Sequence, residues 1–193
     1  MGKSLSRFII NYDELPISVN NYIKPSAKIV YGKALIHMYE TKESKDWKKR
    51  FEAYLKREVT KQKWDRTQTA EGHWYLDCVF VQSRTNQDNN NYYKLLCDAL
   101  TGIVIEDDKN VLVRTQKVLY DAKNPRFYAI LRPVEYTGIF NNEADYAQFF
   151  ESNCATCKKN HEKCSILRKA KEGRIQEELS GNSGSHICSK KKS

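Results

Sequence analysis

The chain has 193 residues, 40% hydrophobic and 11% aromatic, enough for one domain with a real core plus an appendage. That content excludes wholesale disorder, and no apolar run approaches the length that crosses a bilayer. Lysine and arginine number 33 against 24 aspartates and glutamates, a formal charge of +9. Such a surface suits a polyanion, because each neutralised phosphate releases condensed counterions.

In chain order, Arg7 to Tyr12 predicts a strand, followed by the loop LPISVNNYIKP around Pro16 and Pro25. A helix begins around Thr41, with Glu43 in its first turn complementing the helix dipole. Trp47, Phe51, Tyr54, Leu55 and Val59 recur at helical spacing and face the core. Lys45, Lys48, Lys49, Lys56 and Arg57 fall mainly off that stripe, on a solvated or DNA-facing side. His73 to Val81 alternates as a strand, with Trp74, Leu76, Cys78 and Phe80 on one face. Ser83 to Asn90 is polar and breaks the pattern. Tyr92 to Leu100 then predicts a short helix stopped by Gly102. Ile103 to Ile105 is expected as a short strand running into Glu106, Asp107 and Asp108. Val111 to Tyr120 and Phe127 to Leu131 are expected to pair antiparallel through the turn residues Asp121, Asn124 and Pro125. Helices and strands mix without regular βαβ alternation, so the fold class expected is α+β, a small mixed sheet packed with helices.

After Pro133 the character changes, which predicts one domain over residues 1–135 and a helical extension over residues 136–193. Residues 141–153 suggest a short helix carrying Tyr146, Phe149 and Phe150, and Ser165 to Leu179 a second. Gly181 to Ser185 suggests a flexible link before Lys190, Lys191 and Lys192. The N-terminus has Lys3 and Arg7 but no following apolar signal region, so a cytoplasmic location is expected, in a bacterium or from a phage within one. Cys78 and Cys97 lie in apolar stretches and read as core residues. Cys154, Cys157, Cys164 and Cys188 cluster near the C-terminus, where a reducing compartment favours metal over disulfides. Four thiolates suit tetrahedral zinc, and a CxxC turn brings two to one ion. The second half of the pattern is irregular. His161 or His186 could replace a cysteine, and a tail of unligated cysteines is the alternative.

The stretch most informative about chemistry is DNNNYYKLLCDALTGIVIEDDKNV, beginning at Asp88. A helix advances about 100° per residue, so Asn90, Asn91, Lys94 and Asp98 fall within one arc. Tyr92, Leu95, Leu96, Ala99 and Leu100 occupy the opposite arc. One face is anchored and the other presents oxygen ligands, an amide and a cation, with Asp88 before the helix and Asp107 and Asp108 after it. Clustered carboxylates repel unless a cation sits among them, and Mg²⁺ favours hard oxygen ligands plus substrate phosphate. Such an ion polarises a phosphate, and a nearby lysine stabilises charge developing on it. On the residues alone a second reading stands: Asp88 caps the helix, Asp107 and Asp108 form a turn, and Lys94 with Asp98 is an i,i+4 surface pair.

The spacing resembles that of the RusA family of Holliday junction resolvases, with its D-x-D-N…K…DAL…DD pattern. Asp88, Asn90, Asn91 and Lys94 fall on its first part, Asp98, Ala99 and Leu100 on DAL, and Asp107 with Asp108 on the terminal pair. PISVNNYIKP and YETKESKDWKKRF are similar to the family's opening loop and first helix, so the resemblance spans about residues 7–133. It implies a small α+β nuclease acting as a homodimer, cutting four-way DNA junctions by paired nicks with Mg²⁺ or Mn²⁺. Asp88, Asn90, Asp107 and Asp108 would hold the metal and Lys94 would contact phosphate, with Asn91 and Asp98 in support. Asn90 stands where the family has a second aspartate, so a branched-DNA-binding protein without catalysis is the alternative, and a zinc-stabilised interaction module a third reading. The cysteine segment resembles C-terminal extensions on some phage and prophage members, which implies structural zinc.

Overall fold

The structure is a computed structural model in which residues 7–182 and 185–192 are described, and the chain divides into two compact units, 1–133 and 134–193. The first unit is built on a four-stranded sheet. Its strands are β1 (Phe8–Tyr12), β4 (Trp74–Gln82), β5 (Val111–Tyr120) and β6 (Arg126–Pro133), in the order β1-β6-β4-β5. β6 runs antiparallel to both β1 and β4, while β5 runs parallel to β4.

The expected antiparallel pairing of Val111–Tyr120 with Phe127–Leu131 is therefore corrected, since β4 lies between them. β4 buries Trp74, Leu76, Cys78, Phe80, Val81 and Gln82, whereas no residue of β5 is fully buried. A strand that is apolar over most of its length is best placed centrally, and a half-exposed one at the edge. The β4–β5 register shifts between Cys78 and Val79, which pair with Thr115 and Lys117.

One sheet face is covered by helices α2 (Lys42–Gln62) and α3 (Tyr93–Leu100). Thr41 caps α2, its hydroxyl accepting the Ser44 backbone N–H, and Glu43 lies in the first turn. Trp47, Phe51 and Leu55 are buried, with Tyr54 and Val59 packed at the margin. α3 buries Leu95, Leu96, Ala99 and Leu100, the face expected from spacing. Phe51, Phe127 and Phe80 join the helix layer to the sheet, Phe51 and Phe127 meeting at 5.6 Å between ring centres. This is the α+β fold that the sequence predicts.

Two local expectations fail. Ile103–Ile105 is a tight turn, not a strand: the backbone N–H groups of Ile103, Val104 and Ile105 all reach the Leu100 carbonyl, and Gly102 takes φ +81°. Val104 and Ile105 are apolar because the turn tucks them into the core. The loop expected after β1 ends instead in a short helix α1 (Val19–Tyr22), and Ile23–Val30 (β2) pairs with Lys33–Glu40 (β3) as a two-stranded ribbon.

The second unit packs Phe140, Phe149, Cys154, Leu167 and Ala170 into its own cluster. Helix α4 (Glu143–Phe149), capped by Asn142, continues as a π-helical turn through Cys154. Helix α5 (Ser165–Lys171) is shorter than the expected Ser165–Leu179, because Gly173 enters the left-handed region at φ +78°. A minimal hairpin joins β7 (Leu179–Ser180) to β8 (Ile187–Cys188). The expected flexible link at Gly181–Ser185 lies partly outside the described residues. No helix among the described residues is long and apolar enough to cross a membrane.

Candidate active site

The polar segment 83–92 is folded by its own side chains. Gln87 accepts the backbone N–H groups of Ser83 and Arg84, and Asp88 accepts the Asn90 backbone N–H at 2.9 Å, capping a 3₁₀ turn over Asn89–Tyr92. Asn89 donates to the Thr115 hydroxyl at 2.7 Å, fastening that turn to β5. Asn90 belongs to this 3₁₀ turn, so the single α-helical arc expected for residues 90–98 applies only from Tyr93 onward. Asp88 and Asn90 are exposed, and Asp88 and Asn91 line a cleft of about 980 Å³ that also meets Pro16, Asn21, Glu43 and Arg126.

One helical turn along, Lys94 donates to Asp98 Oδ1 at 2.7 Å, and the Tyr22 hydroxyl donates to Asp98 Oδ2 at 2.7 Å. Asp98 is thus held from two elements, α3 and α1, and fixes the lysine that shares its face. Burial pushes the Tyr22 phenol far above its ordinary value, and the hydrogen bond to Asp98 and that residue's charge add to the shift. The Lys94 ammonium is also raised, first by its bond to Asp98 and in smaller part by the charge of Asp108. Cys97, on the same helix, is pushed up to about 12 by burial and by Asp108 and Asp98. Asp108 therefore belongs to the electrostatic neighbourhood of Lys94 and Asp98.

Asp107 caps the following 3₁₀ turn (Asp108–Asn110), accepting the Lys109 backbone N–H at 3.0 Å and its ammonium at 2.9 Å. Those two contacts hold its carboxyl below the usual range. Residues that the sequence analysis did not single out anchor this turn. Arg66 pairs with Glu106 at 2.7 Å and also reaches the Gly102 carbonyl. The buried Thr69 hydroxyl accepts the Glu106 backbone N–H, while Asn110 donates to the Thr69 and Ala70 carbonyls. Isolated polar residues some 40 positions away carry no periodic signal of such a partnership. Tyr22 was nearer to view, since it stands in the NNYIKP segment.

Among the described residues, no three histidine, cysteine, aspartate or glutamate side chains converge as a ready metal cluster. The structure pairs Lys94 with Asp98, keeps Asp108 near enough for its charge to act on Lys94, and leaves Asp88 at the neighbouring turn. The donor chemistry still suits one class of ion: three carboxylates and an amide are all hard oxygen ligands.

In the second unit all four tail cysteines are free. Cys154 ends the π-helical turn, and its carbonyl accepts the Cys157 backbone N–H at 2.9 Å. The Cys157 sulfur accepts the Lys192 backbone N–H at 3.4 Å. Cys164 flanks α5, and Cys188 lies in β8, its backbone N–H bound by the Asn153 side chain at 2.9 Å. Cys154 is pushed up to about 11 by burial first and then by Cys164, Cys188 and Cys157. His161 and His186 turn their rings edge-on to Phe150 and Phe140, at 5.0 and 5.9 Å.

A basic α+β domain that sets carboxylates on successive turns, with a lysine beside one of them, is a scaffold suited to phosphodiester chemistry. The chain matches the family "Endodeoxyribonuclease RusA" over residues 21–131, more than half its length, and belongs to that family. It is an endodeoxyribonuclease of the Holliday junction resolving type, from a divalent-metal-dependent family that acts on branched DNA. No curated protein matches the chain.

Proposed function

We propose that this chain resolves Holliday junctions or other branched DNA by paired nicks, in recombination, repair or the processing of phage DNA. Asp88, Asn90, Asp107 and Asp108 hold a divalent ion, Mg²⁺ or Mn²⁺, which when bound supplies Lewis-acid polarisation of the phosphodiester. Lys94 contacts the phosphate, and Asp98 orients Lys94, with Tyr22 and Asn91 beside them. The observation that carries this reading is the Lys94–Asp98–Tyr22 arrangement within the electrostatic reach of Asp108. Asp107 is paired with Lys109, whose ammonium competes with the metal for that carboxylate. The working unit is a homodimer, which presents two equivalent sites to a substrate needing two symmetric cuts.

The test is junction cleavage with Mg²⁺ or Mn²⁺, comparing wild type with Asp88→Asn and Asp108→Asn. We expect both variants to lose at least about a hundredfold in rate, on the scale of lost electrostatic stabilisation. Equal activity in all three would sink the assignment. A second reading has a specific observation behind it: Asn90 brings no charge to the metal. Wild-type protein that binds junctions tightly and cuts none with either ion would select a non-catalytic binder.

The second unit is the place for structural zinc, held by Cys154, Cys157, Cys164 and Cys188. Support comes from the influence of Cys164, Cys188 and Cys157 on the buried Cys154 thiol and from the backbone N–H aimed at the Cys157 sulfur. The side chains must close in by rotation. Elemental analysis should find about one zinc per chain. Purified protein with none refutes the site, and zinc content unchanged by Cys188→Ser refutes the ligand set.

A further inference from the structure

The β2–β3 ribbon is rooted at the candidate site. Tyr22, which donates to Asp98 beside Lys94, immediately precedes β2, and its carbonyl accepts the Thr41 backbone N–H at 3.0 Å to close the ribbon's base. Eight residues per strand, at about 3.3 Å each, carry the tip roughly 25 Å beyond that base. Among the ribbon's hydrophobic residues only Ile23, at the base, packs against the core cluster. Directly opposed residues of an antiparallel pair share a face. One face carries Lys24 with Tyr39, Ser26 with His37, Lys28 with Leu35, and Val30 with Lys33. The other carries Pro25 with Met38, Ala27 with Ile36, and Ile29 with Ala34, and holds no charge. It is open to solvent, with Ile29 81% and Ile36 68% exposed. At the tip Tyr31 is 100% exposed and takes φ +50°, followed by Gly32 at +72°. A bulky side chain is rare in that conformation, and asparagine or aspartate is the usual first residue of such a turn. Tyr31 is thus held at a cost, with nothing to pack on.

Charge complementarity selects the occupant. Between Ile23 and Tyr39 the chain has Lys24, Lys28 and Lys33 and no aspartate or glutamate. An arm of that charge complements a polyanion, and the major groove of DNA admits a two-stranded ribbon. Phosphate contact accounts for the lysine face and leaves the rest unexplained. A linear duplex keeps its bases stacked and paired, so Tyr31, Ile29 and Ile36 find no apolar surface on it. At a branch point the base pairs flanking the crossover lose a stacking neighbour when the arms open, which exposes their flat faces. Aromatic side chains stack on such faces, and apolar wedges set between base steps hold DNA open.

We propose that the β2–β3 ribbon is a junction-reading arm: Lys24, Lys28 and Lys33 lie along phosphates while Tyr31, with Ile29 behind it, stacks on an opened base pair at the crossover. This rests on the branched-DNA reading of the proposed function and names what makes the chain prefer a branch to a linear duplex. From a strand held at Lys94, the length of the arm carries Tyr31 across to the far side of the junction centre.

Fluorescence anisotropy of the full chain without added divalent ion, on a four-way junction and on a linear duplex, tests this with Tyr31→Ala, Tyr31→Trp and the double variant Lys28→Ala/Lys33→Ala. Y31A should bind the junction at least about tenfold more weakly, with duplex affinity and salt dependence unchanged, and Y31W should bind it as wild type does. The lysine variant should lose affinity for both substrates, with a log–log salt slope shallower by about 2. Tyr31 is fully exposed, so Y31A should keep the wild-type circular dichroism. Junction affinity unchanged in Y31A overturns the proposal while leaving the branched-DNA nuclease standing. Equal losses on junction and duplex in Y31A overturn the stacking role, and an unchanged salt slope in the lysine variant overturns the phosphate contacts. A junction loss in Y31A that accompanies a lower mass in sedimentation overturns the proposal in favour of a contact between copies. Wild type with no preference for the junction over the duplex, and no cleavage once Mg²⁺ is added, overturns the proposed function itself.

Discussion

Asp98 shows how much one carboxylate can organise. Its two oxygens are both engaged, by Lys94 from the same helix and by Tyr22 from α1. The i,i+4 pair was legible from spacing, because residues four apart on a helix are neighbours. The Tyr22 contact was not, since it bridges 76 positions. It has a consequence for pH dependence. Tyr22 has a folded pKa raised above the ordinary 10.0, by burial first and then by Asp98. Below pH 10 both states hold the proton and the contribution to stability is complete. As pH rises past 10 the unfolded chain releases it more readily, and stability falls toward the higher folded value. Urea unfolding should show a decline above pH 10 that Tyr22→Phe reduces in slope. The same substitution should cost about 1 kcal/mol at neutral pH through the lost hydrogen bond. An unchanged alkaline slope in Y22F would count against the contact.

The elements of the first unit follow from periodicity more closely than their neighbours in space do. Trp47, Phe51 and Leu55 mark α2, and Trp74, Leu76, Cys78 and Phe80 mark β4, because burial on one face imposes the helical or strand period. Strand partners are another matter. A short connection between Tyr120 and Arg126 suggested a hairpin, yet β4 intervenes, since the most buried strand needs neighbours on both sides. On the outer face Asp77, with 13% of its side chain exposed, holds Arg114 on β5 and Arg132 on β6 across that central strand. The ribbon was missed for a simpler reason: Pro25 lies inside β2 and only Ile23 packs against the core, so the segment reads as loop. In the second unit Gly138 sits at φ +60°, and a Cβ there would meet the Ala170 carbonyl and lie 2.6 Å from the Lys171 carbonyl. Gly138→Ala should therefore destabilise this unit by about 2–4 kcal/mol, read from its melting or its proteolytic release. A melting curve like that of wild type would contradict the placement.

At the scale of the whole molecule, charge is the property that composition states directly. Junction binding should weaken at least about tenfold between roughly 50 and 200 mM salt, as counterion release requires. Affinity indifferent to salt would favour the third reading, a zinc-stabilised interaction module. By itself the sequence determined the α+β class, the core faces of α2, α3 and β4, and the family, because each is written in local spacing and ordered motifs. Only the tertiary structure decided that Asp98 is clasped between two elements and that Asp107 is tied to Lys109. It also decided that Thr69 and Arg66 brace the acidic turn, and that β4 is central. Such contacts join polar residues far apart in the chain, where no period links them and only the folded backbone brings donor to acceptor.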